Sequence, residues 1–327
     1  MHTNRIVWIT TISIAILIML LGGCSQPSAP ANDSTTPEIT TIKLAVLPIL
    51  DTLPMFVAQQ EGLYTRHNVK VEFIPVGSAP ERDQLIAAEQ ADGMVNEVVS
   101  TLFYNKDKIQ VQTVRYARSA TSTAPLFHIL ASAQSGITTP EGLKGIEIGI
   151  SEGTIIEYLT DRLLQAQGFT DEQIKTVAVP KISDRMALLA SGELEAGMLP
   201  DPLTFLAEQQ GAVIVLDDSI LPEYSFSTIT FRKAFIDANS QAVRGFLAAI
   251  EEATALINKE PEKYTNLLTE QKLVPAPILE AYKIGPYPTA GVPTEAQWND
   301  VLKWVKEKGL LTVDVSYQES VTGAYLP

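Results

Sequence analysis

The body of the chain contains the same order of strands and helices twice, and this repeat constrains its fold more than any other feature. Between residues 42 and 95, three short strand-like runs alternate with two stretches of helical spacing. The same β-α-β-α-β order returns between residues 146 and 199. Strands that alternate with helices predict a parallel sheet covered by helices on both faces. Two such units therefore predict an α/β protein with two lobes.

The two units also match locally in a common register. In each unit an arginine stands three positions before a leucine, and a Gly-Met pair that opens a strand follows. These residues are Arg82, Leu85, Gly93 and Met94 in the first unit and Arg185, Leu188, Gly197 and Met198 in the second. The Gly-Met pairs lie 104 positions apart, and the first strands end at Leu47 and Ile150, which lie 103 apart. The agreement of the two offsets favours a true repeat over chance.

The second unit interrupts the first lobe, so the chain is expected to cross between the lobes twice. The stretches 124–131 and 224–231 are rich in strand-forming residues and flank the second unit. From about residue 232 the chain is mostly helical, and this layer is expected to return to the first lobe. We therefore predict that residues 41–123 and 228–327 form lobe 1 and that residues 124–227 form lobe 2.

The N-terminus has the pattern of an export signal that ends at a lipid-modified cysteine. Arg5 precedes a 16-residue uncharged run, which is shorter than the roughly 20 residues needed to span a bilayer. The run ends in Leu-Gly-Gly-Cys, which resembles a bacterial lipobox, and Cys24 would carry the lipid on its sulfur. Residues 24–40 have the composition of a flexible linker. We expect residues 1–23 to be a signal peptide and the mature protein to be extracytoplasmic and lipid-anchored to the cell membrane.

Composition excludes several classes of function. Cys24 is the only cysteine, and the three histidines, His2, His67 and His128, do not have metal-ligand spacing, so neither an intrachain disulfide nor a metal site is expected. The formal net charge of -14 argues against a nucleic-acid partner. The sequence contains no nucleophile-elbow motif and no phosphate-binding loop. We therefore expect no catalytic residues and no cofactor.

Together with these features, three segments resemble the substrate-binding lipoproteins of bacterial ABC importers. The segments are Phe56–Tyr64, Ser151–Thr154 and Asp201-Pro202. The closer resemblance is to the SsuA/THI5-like, or NMT1, family, which serves nitrate, sulfonate, taurine and thiamine-precursor uptake. It implies a periplasmic-binding-protein type II fold, in which two Rossmann-like lobes enclose a ligand cleft. It also implies a small-molecule ligand and ABC transporter permease subunits as partners of a monomer.

Ligands of open α/β sheets bind beyond the carboxyl ends of the strands, so residues at these ends are the expected contacts. Backbone N–H groups at a strand-to-helix turn suit an anion or polar acceptor, although the same residues can simply cap the helix. Asp201 could accept from a ligand amino group, or could only begin a helix, and Asn96 holds the matching position in the first unit. The predicted ligand-binding residues are Asp51, Thr52, Gly77, Ser78, Asn96, Ser151, Gly153, Thr154, Asp201 and Tyr224.

The sequence constrains the chemical class of the ligand less than it constrains the fold. Acidic residues outnumber Lys181 at the predicted strand ends, which favours an amino-bearing heterocycle such as a thiamine-precursor-like pyrimidine. The alternative is a sulfonate, taurine or nitrate type of anion. Two other functions remain open. An enzyme on the same fold is disfavoured by the export signal, because such enzymes use cytoplasmic substrates, and a ligand-sensing receptor component is not distinguished from an import protein.

Overall fold

Ten strands form two five-stranded sheets in the computed structural model, which describes residues 39–327. The strands are β1 (Thr40–Val46), β2 (Val69–Pro75), β3 (Gly93–Asn96), β4 (Val111–Ser119), β5 (Phe127–Ala131), β6 (Glu147–Ile150), β7 (Lys175–Ala178), β8 (Ala196–Pro200), β9 (Val213–Asp217) and β10 (Phe226–Arg232). The strand orders are β2-β1-β3-β10-β4 and β7-β6-β8-β5-β9. The predicted export signal and Cys24 lie outside the described residues.

The three strands of each repeated unit are adjacent and parallel, as the repeat predicts. In the first sheet β1 pairs with both β2 and β3, and in the second sheet β6 pairs with both β7 and β8. The carboxyl ends of these strands therefore lie along one edge of each sheet. These two edges are where the repeat predicts ligand contacts.

Each sheet also contains an antiparallel strand, which the prediction of purely parallel sheets did not include. Strand β10 lies between β3 and β4 and is antiparallel to both, and β5 has the same relation to β8 and β9. Both strands follow a crossing from the other sheet, so the chain enters them from the opposite end. Local apolar periodicity reports that a strand exists but not its direction.

Twelve α-helices within the described residues cover the two sheets. They are α1 (Leu53–Gln60), α2 (Leu63–Arg66), α3 (Ala79–Ala87), α4 (Val98–Asn105), α5 (Ile155–Ala166), α6 (Ile182–Ser191), α7 (Leu203–Gln209), α8 (Lys233–Ala238), α9 (Ser240–Lys259), α10 (Thr265–Glu270), α11 (Glu295–Glu307) and α12 (Tyr317–Ser320). No helix in residues 39–327 combines the length and the apolar character needed to span a membrane.

The C-terminal helices do not all return to the first unit. Helix α9 packs on α1 and α2, as expected for a layer on the first sheet. Helix α11 instead packs on both α4 and α5, because its buried face carries two tryptophans that enter the core of the second sheet. Trp304 Nε1 donates to Asp161 of α5 at 2.8 Å, and Arg162 pairs with Asp300 at 3.0 Å. This helix therefore joins the two units.

Candidate functional site

A cavity of about 730 Å³, including its opening to solvent, lies between the strand ends of the two sheets. Residues that follow β1 and β3 form one wall, and residues that follow β6, β7 and β8 form the other. Five of the ten predicted ligand contacts line this cavity: Asp51, Asn96, Ser151, Thr154 and Asp201. The repeat thus brings half of the predicted residues together.

The wall from the first sheet presents two acceptor oxygens that accept no hydrogen bond from any group in residues 39–327. Asn96 Nδ2 donates to Thr101 Oγ1 at 3.0 Å, which leaves Asn96 Oδ1 without a partner. Glu97 caps α4 by accepting from the Ser100 N–H at 3.1 Å, which leaves Glu97 Oε1 without a hydrogen bond. Burial raises the pKa of Glu97 from 4.5 to about 7, although nearby Arg82 acts in the opposite direction. Glu97 is therefore poised between its acid and carboxylate forms near neutral pH.

Two arginines occupy matching places in the repeat, and both line the cavity. Arg82 Nη1 donates to the Val95 carbonyl at 3.2 Å, and Arg185 Nε donates to the Met198 carbonyl at 2.6 Å. Each arginine thus holds the strand carbonyl 13 positions further along the chain. The two side chains are buried, with residue exposures of 3% and 1%.

The surroundings of these two arginines differ in charge. Arg82 pairs with Asp83 at 2.8 Å and lies 3.5 Å from Glu97 Oε1. Burial lowers the pKa of Arg82, but these two acids outweigh it and the net shift is upward. Arg185 forms no ion pair within residues 39–327; its second bond goes to the Val179 carbonyl at 2.6 Å. Burial lowers the pKa of Arg185 to about 10, so it remains a cation at neutral pH without a carboxylate partner.

A third buried arginine connects the two sheets across the cavity. Arg118 on β4 donates from Nη2 to Asp201 Oδ2 at 2.8 Å, and the Tyr282 hydroxyl donates to the same oxygen. Asp201 and its neighbours outweigh the effect of burial and raise the pKa of Arg118. Among the described residues, Arg118 Nε has no hydrogen-bond partner. Asp201, predicted as a ligand acceptor, thus has two protein donors from the first-sheet side.

The remaining predicted residues of the first unit make local contacts. Asp51 accepts from the Ser227 hydroxyl in the cavity wall, and buried Thr52 donates to the Ile49 carbonyl at 2.7 Å. Ser78 accepts from the N–H of Glu81 at 3.3 Å, and Glu81 Oε2 in turn accepts from the Gly77 N–H at 2.7 Å. Gly77 and Ser78 therefore form the N-terminal cap of α3 and do not line the cavity.

The second unit divides its predicted residues between the cavity and structural roles. Ser151 Oγ lines the cavity and has no hydrogen-bond partner. Thr154 lines it as well, and caps α5 by accepting from the Ile156 N–H at 3.2 Å. The Gly153 N–H is taken by Glu157 Oε2 at 2.8 Å. The Tyr224 ring packs edge-on against Tyr158, with centroids 6.4 Å apart, and lies outside the cavity lining.

Sequence analysis did not assign the three arginines that line the cavity to the site. Arg82 and Arg185 stood out only as markers of the repeat, although an arginine in a mainly apolar helix face is itself a signal of a buried polar role. Arg118 gave no local signal, because its partners are distant in sequence. Within residues 39–327 no cluster of His, Cys, Asp and Glu could hold a metal ion.

Comparison with known proteins places this geometry in a family. The family model described as NMT1/THI5 like matches residues 50–264. An aliphatic sulfonates-binding protein of Escherichia coli strain K12 is 30% identical over 171 residues, which cover 52% of this chain and 53% of that protein. The chain thus matches about half the length of this curated relative.

Solved structures share the fold at lower identity. The alkanesulfonate-binding protein SsuA of Xanthomonas axonopodis pv. citri aligns with a TM-score of 0.73 at 17% identity, covering 86% of this chain and 98% of that one. The desulfurization enzyme DSZB aligns with a TM-score of 0.67 at 13% identity, covering 88% and 97%. The architecture is that of the periplasmic binding proteins, as the family resemblance implied. The matched region spans most of the two sheets, and the chain belongs to the NMT1/THI5-like family.

Proposed function

We propose that this chain is the extracytoplasmic solute-binding lipoprotein of an ABC importer and that it captures a small amino-bearing molecule. Seven buried side-chain nitrogen or oxygen atoms in residues 39–327 lack a hydrogen-bond partner, and five of them belong to residues that line the cavity of about 730 Å³ between the sheets. They are Arg82 Nη2, Asn96 Oδ1, Glu97 Oε1, Arg118 Nε and Ser151 Oγ, of which Arg82 Nη2 and Glu97 Oε1 face each other as an ion pair at 3.5 Å. Their concentration at a single cavity is the observation that carries the proposal.

Unpartnered buried polar atoms are costly, at about 1–3 kcal/mol each. A ligand that completes these bonds offsets that cost. Four of the atoms belong to the first-sheet side and Ser151 Oγ belongs to the second, so all five are satisfied only when both sheets contact the ligand. When both sheets contact the same ligand, a binding protein can close around that ligand and present the closed form to permease subunits. Import is therefore favoured over a purely structural role.

The two acceptor oxygens that accept no hydrogen bond within the described residues favour a ligand with N–H groups. Asn96 Oδ1 and Glu97 Oε1 accept hydrogen bonds, so an amino-bearing heterocycle such as a thiamine-precursor-like pyrimidine would satisfy them. Nitrate and simple sulfonates offer acceptors only and would leave these oxygens unpaired.

A second candidate is an anion-binding protein of the same family. The observation that favours it is Arg185, a buried cation with no carboxylate partner among the described residues. Family membership agrees with this candidate, since the E. coli relative is named for binding aliphatic sulfonates. The similarity to a desulfurization enzyme means that turnover has to be measured alongside binding.

A thermal-shift screen of purified protein against pyrimidines, sulfonates, nitrate and taurine tests the proposal. A ligand at 100 times its Kd should stabilise the protein by about 2.7 kcal/mol. Small-angle scattering should then show a smaller radius of gyration and a monomer. The binding role is contradicted if no compound stabilises the protein, and an enzyme is indicated if a stabilising compound is converted.

The anchoring part of the proposal rests on Cys24, which lies outside the described residues. Cys24→Ala should move the protein from the membrane fraction to the soluble extracytoplasmic fraction. Equal membrane retention of the variant and the wild type would contradict lipid anchoring and leave the binding role untouched.

A further inference from the structure

We propose that Lys308, at the end of α11, is a positioning residue for the cavity, because it holds Glu157 and Glu157 holds the turn between β6 and α5. This turn contributes Ser151 and Thr154 to the cavity lining, whereas neither Glu157 nor Lys308 lines the cavity. The inference rests on the proposed function, since it concerns a segment that would contact the ligand. It assigns a role in binding to a side chain that the ligand does not touch.

Two side chains of α5 and its cap hold the turn. Thr154 Oγ1 donates to the Ser151 carbonyl at 2.7 Å, and the Gly153 N–H donates to Glu157 Oε2 at 2.8 Å. Gly153 has a φ of +65°, and glycine loses more conformational freedom on folding than any other residue. The bond from Glu157 therefore fixes the position of the turn that has the most freedom to lose.

Glu157 is in turn held by a lysine from another element. It is 6% exposed, and its Oε1 lies 3.2 Å from Lys308 Nζ. The same Nζ lies 3.0 Å from Asp161 Oδ2, one helical turn further along α5. Burial lowers the pKa of Lys308, but Asp161 and Glu157 outweigh it and the net shift is upward. No other cation in residues 39–327 pairs with either acid, so without Lys308 two buried carboxylates would repel each other.

The first unit shows that the fold itself does not require these acids. At the offset of 103 positions, Glu157 and Asp161 correspond to Pro54 and Ala58 of α1, and both of these residues are buried. Helix α9 covers α1 mainly through apolar contacts. The two acids are therefore a property of the second unit, where the covering helix brings a lysine.

The place of α11 in the fold connects this contact to both walls of the cavity. Helix α11 packs on α4 and α5, and each of these helices begins directly after residues that line the cavity. Phe103 of α4 also reaches the turn, since a Cβ atom on Gly153 would lie 3.5 Å from Phe103 Cε2. A change at the Lys308 end of α11 should therefore alter the second wall.

Amide hydrogen exchange followed by NMR, on purified protein without added ligand, tests the proposal. The exchange rate of the Gly153 amide is measured relative to the amides of β6, which report larger openings of the sheet. Lys308→Met should raise this relative rate at least tenfold, and Glu157→Leu should do the same. Lys308→Arg keeps the cation and should return the rate to within threefold of the wild type.

Two control variants separate positioning from a purely structural role. Asp161→Asn weakens the other contact of Lys308 and keeps the contact with Glu157, so the relative rate of Gly153 should stay within threefold. Lys303→Met removes a lysine of the same helix that pairs only with exposed Glu307, at 3.7 Å, and should change nothing. Circular dichroism establishes folding, and Glu157→Leu gives the same reading if Lys308→Met does not fold.

A thiol in the cavity wall provides a second measurement. Ser151→Cys in a Cys24→Ala background carries a single cysteine, at a position that is 4% exposed. Its rate of reaction with 5,5′-dithiobis(2-nitrobenzoate) measures how accessible the turn is. Adding Lys308→Met should raise this rate at least tenfold, whereas adding Asp161→Asn should leave it within threefold.

The inference is overturned if Lys308→Met leaves either rate within threefold of its reference. It is also overturned if Asp161→Asn raises the rates as much as Lys308→Met, because Lys308 would then only attach α11 to α5. The proposed function fails in a different way, when no compound in the wider screen binds. A protein that binds one of those compounds but shows unchanged rates would keep the proposed function and reject this inference.

Discussion

At the end of its last strand, each of the two repeated units has a buried arginine bonded to a backbone carbonyl, but the charges around the two arginines differ. In both units an arginine from the second helix holds the carbonyl 13 positions later, just before the strand ends. The first arginine lies beside two acids, whereas the second pairs with no acid in the described part of the chain. The repeat therefore determines where the guanidinium groups lie, and a few neighbouring residues determine whether a group is neutralised within the protein or remains available to a ligand.

The largest effect on stability is expected when each of the two arginines is replaced in turn. Arg82→Met would leave buried Glu97 and its neighbour Asp83 without their cation, and breaking a buried ion pair in this way costs about 3–5 kcal/mol. Arg185→Met removes a charge that has no partner, so only the bonds to two carbonyls are lost, at about 1–3 kcal/mol. Urea denaturation of both variants measures the difference. Equal losses, or a larger loss for Arg185→Met, would show that the two positions are electrostatically alike.

A pH series sharpens the comparison through Glu97. Its pKa is about 7 in the folded protein and 4.5 ordinarily, so its stabilising contribution is complete below pH 4.5 and is lost as the pH rises through 7. The expected loss is about 3 kcal/mol. The free energy of unfolding of the wild type relative to Glu97→Gln should fall by this amount between pH 4.5 and 8. A difference that does not change with pH would mean that burial does not control this carboxyl.

Asp218 provides the matched control for that series. It is a buried carboxyl of the second unit, its pKa is raised by burial to about 6, and both of its oxygens accept hydrogen bonds. Asp218→Asn should change the pH dependence in a lower window, between about pH 4 and 6, and should leave ligand affinity unchanged.

A smaller effect is expected from the contact that joins the two units. Asp201→Asn removes the charge that faces Arg118 and weakens a charge-assisted bond of about 1.5–3 kcal/mol. If Asp201 mainly joins the sheets, stability falls and Kd changes less than threefold. If it also accepts from the ligand, affinity falls by tenfold or more. Tyr282→Phe is the control, since it removes one donor to Asp201 and keeps the charge pair.

The smallest effect concerns the start of the second helix in each unit. Ser78 caps α3, so Ser78→Ala should cost about 1 kcal/mol. In the second unit Lys181 stands at the cap of α6, and the Ser183 hydroxyl donates to Asp184. Ser183→Ala should therefore change the melting temperature little. Equal shifts in the two variants would show that Ser183 caps α6.

The sequence predicted the parts of the structure that depend on local pattern. The repeat register identified the strand ends correctly, and Asn96, Ser151 and Asp201 line one cavity as a result. Strand β4 was not predicted, because its polar and charged residues obscure the alternation that marks a strand, and Arg118 was missed with it. The pairing of Arg118 with Asp201 joins positions 83 apart. Such contacts depend on the tertiary fold, and no local spacing indicates them.

The chain is synthesised from its N-terminus, and the central position of β10 in the first sheet determines the order in which the two sheets can be completed. All five strands of the second sheet lie between residues 127 and 217. The first sheet lacks β10, which lies between β3 and β4, until residue 232 has been synthesised. The edges of β3 and β4 that pair with β10 therefore stay unpaired while the second sheet is made. Unpaired strand edges promote association between chains. The half of the protein that is made first is therefore the half that is finished last.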